Sequence, residues 1–221
     1  MSDPLTPHAF YLVFAVALLW FPRQWLRSGV RVLKRRRKPD GVFEQLAGVG
    51  ARDPADKSVQ LGREFRTFRN HVDLMRSFVG SYGLMTYAFS GPGTGKVLAV
   101  QAAVLFVGLG IQAIRVDGGR FSFFAPIFYL VGLSVGFCQH YVGLFAFALV
   151  LAINPIIPNP RLFLTAFGVL LVPLGVLLGA NSRLVLVAAA GVLAIPLASL
   201  LTKRPVVIFA RKTKSPSRSS A

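Results

Sequence analysis

Four long apolar stretches with almost no internal charge follow one another between residues 97 and 202. They are 97–114, interrupted only by Gln101 and Gln112, then 121–153, 162–180 and 184–202. About 20 apolar residues at a 1.5 Å rise cover a hydrocarbon core of about 30 Å, so each is long enough to cross a bilayer as a helix. An earlier stretch has its apolar heart at 9–21, the length of a signal-peptide core as much as of a spanning helix. Its flanks argue against a signal: only Asp3 precedes it, and Arg23, Arg27, Arg31, Lys34, Arg35, Arg36, Arg37 and Lys38 follow it. Residues 1–22 therefore read as a retained anchor helix with its N-terminus outside, and Trp20 and Trp25 as residues at headgroup level.

A different period governs the segment between the first two spans. Leu61, Phe65, Phe68, Val72, Met75, Val79 and Tyr82 recur at steps of 4, 3, 4, 3, 4 and 3, which predicts an amphipathic helix over 61–82. Arg63, Arg66, Asn70, Asp73 and Ser77 occupy its other side. The apolar stripe is expected to pack on the protein's own helices or to lie in the membrane interface with its arginines reaching to water; a coiled coil between two copies is the alternative. Residues 39–62, rich in Gly, Ala, Asp and Pro, read as a linker.

Charge then orients the chain. Hydrophobic residues make up 54% and charged residues only 15%, an excess that a bilayer absorbs, while the net charge is +17. Residues 23–39 hold eight basic and no acidic side chains and residues 203–221 hold six and none, so the positive-inside rule puts both on the cytoplasmic side. With Lys96 and Lys203 both inside, an even number of crossings must separate them, and 121–153 then crosses once, long and bent near Pro126. The competing reading folds 121–153 into a hairpin about Cys138, Gln139 and His140, and keeps the basic tail inside only if 78–90 also inserts. The expected fold is thus an all-α, multi-pass transmembrane bundle of about five spans. It divides into an anchor helix (1–22), a basic cytoplasmic arm (23–96), the bundle proper (97–202) and a basic tail (203–221). Its expected location is a plasma membrane of the bacterial inner-membrane type, with 23–96 and 203–221 cytoplasmic.

No constellation in the chain carries chemistry. Gly91-Pro92-Gly93-Thr94-Gly95-Lys96 resembles a phosphate-binding loop, but Ser90 stands where the first glycine belongs and Val97 where a Mg²⁺-binding hydroxyl belongs. His140 has only Cys138 nearby, too little for a metal cage, and the lone cysteine excludes an internal disulfide. All eight acidic residues fall outside the apolar cores, which removes the usual side chain for proton or ion coupling. Gln101 and Gln112 fall on one helical face that should point into the bundle, and with His140 they make an intramembrane polar site the sequence allows. Gly132 with Gly136 and Gly175 with Gly179 are GxxxG pairs that permit close helix approach, and Pro173 and Pro196 should bend the last two helices.

These features point to no catalytic, metal or cofactor site. They favour a non-enzymatic structural, scaffold or assembly subunit whose basic face contacts anionic lipid or an acidic partner. Arg31, Lys34, Arg35, Arg36, Arg37 and Lys38, together with Phe65, Phe68 and Met75, would make the contact. A homo-oligomer or a membrane complex fits the packing motifs. A small oligomeric pore or carrier lined by Gln101, Gln112 and His140 is the alternative, and a lipid-acting enzyme a third. Nucleic acid is not expected, because the basic runs adjoin the spans and lipid is the nearer polyanion.

Overall fold

Each helix starts or stops where the local sequence demands it. A computed structural model describes residues 6–23, 59, 64–90, 95–117, 120–157, 159–204 and 206–207, the side chains of 115–117, 120–122 and 207 excepted. Strand β1 (Thr6–Pro7) leads into helix α1 (Ala9–Trp20), which stops because Phe21, preceding Pro22, is driven to an extended ψ of 116°. Helix α2 (Phe68–Thr86) and strand β2 (Phe89–Ser90) follow, then helix α3 (Gly95–Ala113). Strands β3 (Ile114–Asp117) and β4 (Arg120–Phe124) form an antiparallel hairpin across the two-residue connection 118–119, where the sequence is Gly-Gly. Helices α4 (Ile127–Phe137), α5 (His140–Ile153), α6 (Pro160–Leu177) and α7 (Ser182–Leu201) complete the bundle, and β5 (Val206–Val207) adds parallel to β4. Asn159 caps α6 by accepting from Leu162 N–H at 2.9 Å with Pro160 next to it, and Gly179, at φ 65°, makes the left-handed step between α6 and α7.

The seven α-helices of the described residues run alternately between two ends of the bundle. Thr6 pairs with Ser90 at one end, while Arg76 reaches the Leu18 and Phe21 carbonyls near the other, so α1 and α2 are antiparallel. On α3, Gln101 bonds Leu84 and Gln112 bonds Leu19, which sets it antiparallel to α2. On α4, Gly132 lies against Leu74 and Ser77 and Gly136 against Phe78 and Ser81, so α4 runs parallel to α2. Gly168 and Gly175 of α6 meet Leu193 and Val185 of α7 in antiparallel order. Residue 23, where the first basic run starts, and residue 203, where the second starts, both lie at the end that holds the β3–β4 hairpin; we call it the basic end.

Three helices, α3, α6 and α7, are long and apolar enough to cross a membrane. The 121–153 segment is not one helix. It breaks at Cys138 and Gln139, where Gln139 takes φ 81°, and doubles back. Gly143 packs on the backbone of Val135, and the Phe128 and Phe147 rings sit 6.3 Å apart although 19 residues separate them. The single long crossing is therefore replaced by the hairpin, which a missing side chain at Gly143 makes room for. Every residue of α4 is buried, so this helix is the axis of the bundle.

The amphipathic helix also differs from expectation. It spans 68–86 rather than 61–82, is part of the bundle, and is turned the other way round. Asn70, Asp73, Arg76, Ser77 and Ser81 are buried, whereas Phe68 is 77% exposed, Met75 54%, Val79 39% and Tyr82 37%. The small residues explain the inversion. Gly132 and Gly136 on α4 admit Ser77 and Ser81 on α2, whose hydroxyls donate to the carbonyls of Asp73 and Ser77 in their own helix at 2.8 and 2.7 Å. Polar atoms so satisfied can sit in a seam where the backbones touch. The first GxxxG pair is thus a packing seam; in the second, Gly175 packs on Val185 while Gly179 serves the turn. Leu61, the linker apart from Val59 and the basic run beyond Arg23 lie outside the described residues.

A Cβ at Gly132 would stand 2.2 Å from the Leu74 carbonyl oxygen, so Gly132→Ala should destabilise the bundle by about 1–3 kcal/mol. Gly83→Ala, on the same α2 but with nothing within 4 Å, should be neutral or stabilise by up to about 1 kcal/mol. Thermal unfolding in detergent checks the contrast.

Candidate functional site

Because α1 stops at Trp20, the carbonyls of its last turn lack the N–H groups that a further turn would supply. Three other helices supply donors instead. From α2, Arg76 Nη1 donates to Leu18 O at 3.2 Å and Phe21 O at 2.5 Å. From α3, Gln112 Nε2 donates to Phe21 O at 2.8 Å and Leu19 O at 3.4 Å. From α4, the Tyr129 hydroxyl donates to Leu19 O at 3.1 Å. The Trp20 indole N–H returns a bond to Val104 O on α3 at 2.9 Å. A guanidinium at the negative end of the α1 dipole adds electrostatic attraction to these bonds.

Arg76 is itself held. Its Nε donates to Asp73 Oδ1 at 2.8 Å, its Nη2 to Gln112 Oε1 at 3.0 Å, and its guanidinium lies 5.3 Å from the Tyr129 ring centre. Arg23 approaches Asp73 from the other side, with Nε 3.0 Å from Oδ2. That contact is an ion pair off the hydrogen-bond direction, so the fully buried Oδ2 accepts no hydrogen bond. Arg23 also donates from Nη2 to Asn70 Oδ1, and its backbone N–H donates to Gln112 Oε1 at 3.1 Å. Asn70 Nδ2 in turn donates to Glu64 Oε2 at 2.5 Å and Glu64 O at 2.8 Å. Burial lowers the Arg23 pKa, and the Asp73 and Glu64 carboxylates oppose that shift. Two guanidinium groups and two carboxylates balance in formal charge, and amides join them into one network. Such an arrangement repays desolvation only when nearly every polar atom has a partner.

Although every acidic residue lies outside the apolar stretches of the sequence, Asp73 is fully buried in the bundle and Glu64 nearly so. The pattern over 61–82, within the arm 23–96, places Asn70, Asp73 and Ser77 on the side opposite the apolar stripe and by its period alone gives no sign that this side is buried. The available signal was the spacing of Ser77, Gly80 and Ser81 opposite the apolar stripe, which is the composition of a membrane packing face.

The residues singled out from the sequence do not converge. Gln112 joins the network, whereas Gln101, buried on the same face of α3 and about 16 Å away along the helix, donates to Leu84 O at 3.2 Å. His140 is exposed at the start of α5, at the opposite end of the bundle. Phe65, Phe68 and Met75 are exposed. Arg31, Lys34, Arg35, Arg36, Arg37 and Lys38 lie outside the described residues, as do residues 91–94 of the glycine loop; Lys96 is exposed. Among the described residues no group of three metal-ligating side chains occurs. One pair with nucleophile chemistry is present at the end opposite the basic one, where His8 Nε2 bonds Ser90 Oγ. Both residues are exposed, and all three acidic residues described, Glu64, Asp73 and Asp117, lie at the basic end, so no described carboxylate orients that histidine. No protein-family model, curated protein or solved structure matches this chain.

Removing Asp73 leaves two buried guanidinium groups without their shared counter-ion. Asp73→Ala should therefore cost about 3–5 kcal/mol, read as a loss of thermal stability in detergent. Arg23→Ala should cost less, because its side chain is 16% exposed against 0% for Asp73. His140→Asn should leave stability unchanged.

Proposed function

We propose that the chain is a non-enzymatic integral membrane protein that crosses the bilayer seven times and serves as a scaffold or assembly subunit. Its basic end faces the cytoplasm of a bacterial cell and meets anionic lipid headgroups in the inner membrane. The observation that carries this reading is the reversed burial of α2, with Asp73 and Arg76 inward and Phe68, Met75, Val79 and Tyr82 outward. Water would favour the opposite orientation; only an apolar surrounding rewards it.

Three further observations support it. Seven alternating helices leave the start of each basic run at the same end, in agreement with the positive-inside rule. The two helices about 16 and 18 Å long, α4 and α1, do not need to reach both interfaces alone. The ends of α4 are buried in protein, and the end of α1 is capped by side chains, conditions under which non-helical backbone is tolerated at membrane depth. The ionic network joins four helices, the work of a structural element. The two basic runs, 14 basic and no acidic residues in total from eight and six, each contribute attraction to an anionic surface of about 1 kcal/mol per side chain.

Two measurements test the proposal. Topology reporters inserted in the full chain at Gly93 and after Ala180 should report outside, and those between Gly118 and Gly119 and after Ile157 inside; the opposite result at Gly93 and Gly118 would reinstate five crossings. In nanodiscs, anionic lipid should raise the melting temperature at low salt. Replacing Arg31, Lys34, Arg35, Arg36, Arg37 and Lys38 by Ala should abolish most of that rise, as should about 1 M salt, where screening shortens the reach of charges to about 3 Å.

A further inference from the structure

The positive-inside rule does not by itself select seven crossings. A chain in which α2 stays out and 121–153 crosses once also leaves 23–38 and 203–221 on the same side. Hydropathy favours that other arrangement, because α2 carries Arg69, Asp73 and Arg76 in 19 residues and is not among the helices apolar enough to cross on their own. Some interaction present only in the seven-crossing form must outweigh both. The cap on α1 is that interaction: Arg76 bonds Leu18 O in the last turn of this 12-residue helix and shares Phe21 O with Gln112.

We propose that α2 has two membrane placements and that the Arg76 cap on α1 selects between them. Capped, α2 crosses with its polar face against α1 and α4. Uncapped, it lies along the basic-side interface with Phe68, Met75, Val79 and Tyr82 still towards lipid, because the same stripe serves both placements, and 121–153 opens from its hairpin into one crossing, which keeps both basic runs on one side. α1 and α2 are thus two substandard spans that complete each other. One is too short and the other too polar, and the Arg76 cation of the second caps the carbonyl end of the first. This inference rests on the seven-crossing reading.

The test uses the full chain with a paired reporter at Gly93, one half active only outside and the other only inside, so that the ratio is independent of protein amount. Arg76→Leu makes α2 more apolar; if hydropathy governed insertion, the outside fraction would stay or rise. The proposal expects the reverse, a fall of the outside fraction below half with a matching gain inside, and retention of most outside signal in Arg76→Lys. The double variant Gln112→Leu/Tyr129→Phe removes the other two donors without changing the sequence or hydropathy of α2 and should shift the ratio in the same direction as Arg76→Leu. If neither Arg76→Leu nor the double variant lowers the outside fraction, the proposal is overturned. A wild-type chain that reports inside at Gly93 would instead overturn the seven-crossing reading, so the two failures are distinct.

Discussion

A helix end without water is the constraint around which this bundle is arranged. α1 is 12 residues long, about 18 Å, and Pro22 prevents it from continuing. Its last carbonyls are met inside the bundle, and a buried one left unsatisfied would cost about 1–3 kcal/mol. Three donors, Arg76, Gln112 and Tyr129, come from three different helices to meet them. That requirement sets α2, α3 and α4 around one point at the basic end. Asp73 and Arg23 follow from it, because a guanidinium brought into a low-dielectric site needs a counter-ion, and a carboxylate between two guanidiniums needs both.

Away from that point, contact is made by small residues. Gly132 and Gly136 bring α4 against Ser77 and Ser81 of α2 so closely that a methyl group would meet backbone atoms, and Gly143 does the same for the α4–α5 hairpin. Lipid tails are as apolar as leucine, so burying large aliphatic side chains between helices gains little, and close backbone approach with internal hydrogen bonds does the holding. Phe68, Met75, Val79 and Tyr82 of α2 are correspondingly left on the surface, while Leu84 is buried. The tightness of the seam also bears on function: polar atoms spread from Asn70 to Ser81 along α2, but they line an interface closed by two glycines rather than an open path.

The hydrophobic pattern of the sequence was enough to establish a mostly helical chain and three helices apolar enough to cross a membrane, 95–113, 160–177 and 182–201, each ending within three residues of its apolar stretch. Those features depend on composition in a window of about 20 residues and on charge beside it, both local quantities. The inward face shared by Gln101 and Gln112 was legible for the same reason, since helical phase is local. The 4, 3, 4, 3 spacing likewise established a helix around 68–82.

Which face of that helix turns inward was decided only by tertiary structure. A period specifies two faces, and the sign of burial depends on whether water or lipid lies outside, a property of the surroundings and not of the segment. The reversal at Gln139 was similarly beyond local reading, because an unbroken apolar run fits one long helix and a hairpin alike. Contact between Gly143 and Val135, and between rings 19 residues apart, makes the hairpin. The network of Arg23, Asp73, Arg76, Gln112 and Tyr129 draws on residues up to 106 positions apart, from Arg23 to Tyr129. Charged side chains look solvated one segment at a time; only the meeting of four helices provides the carbonyls and counter-ions that let them be buried.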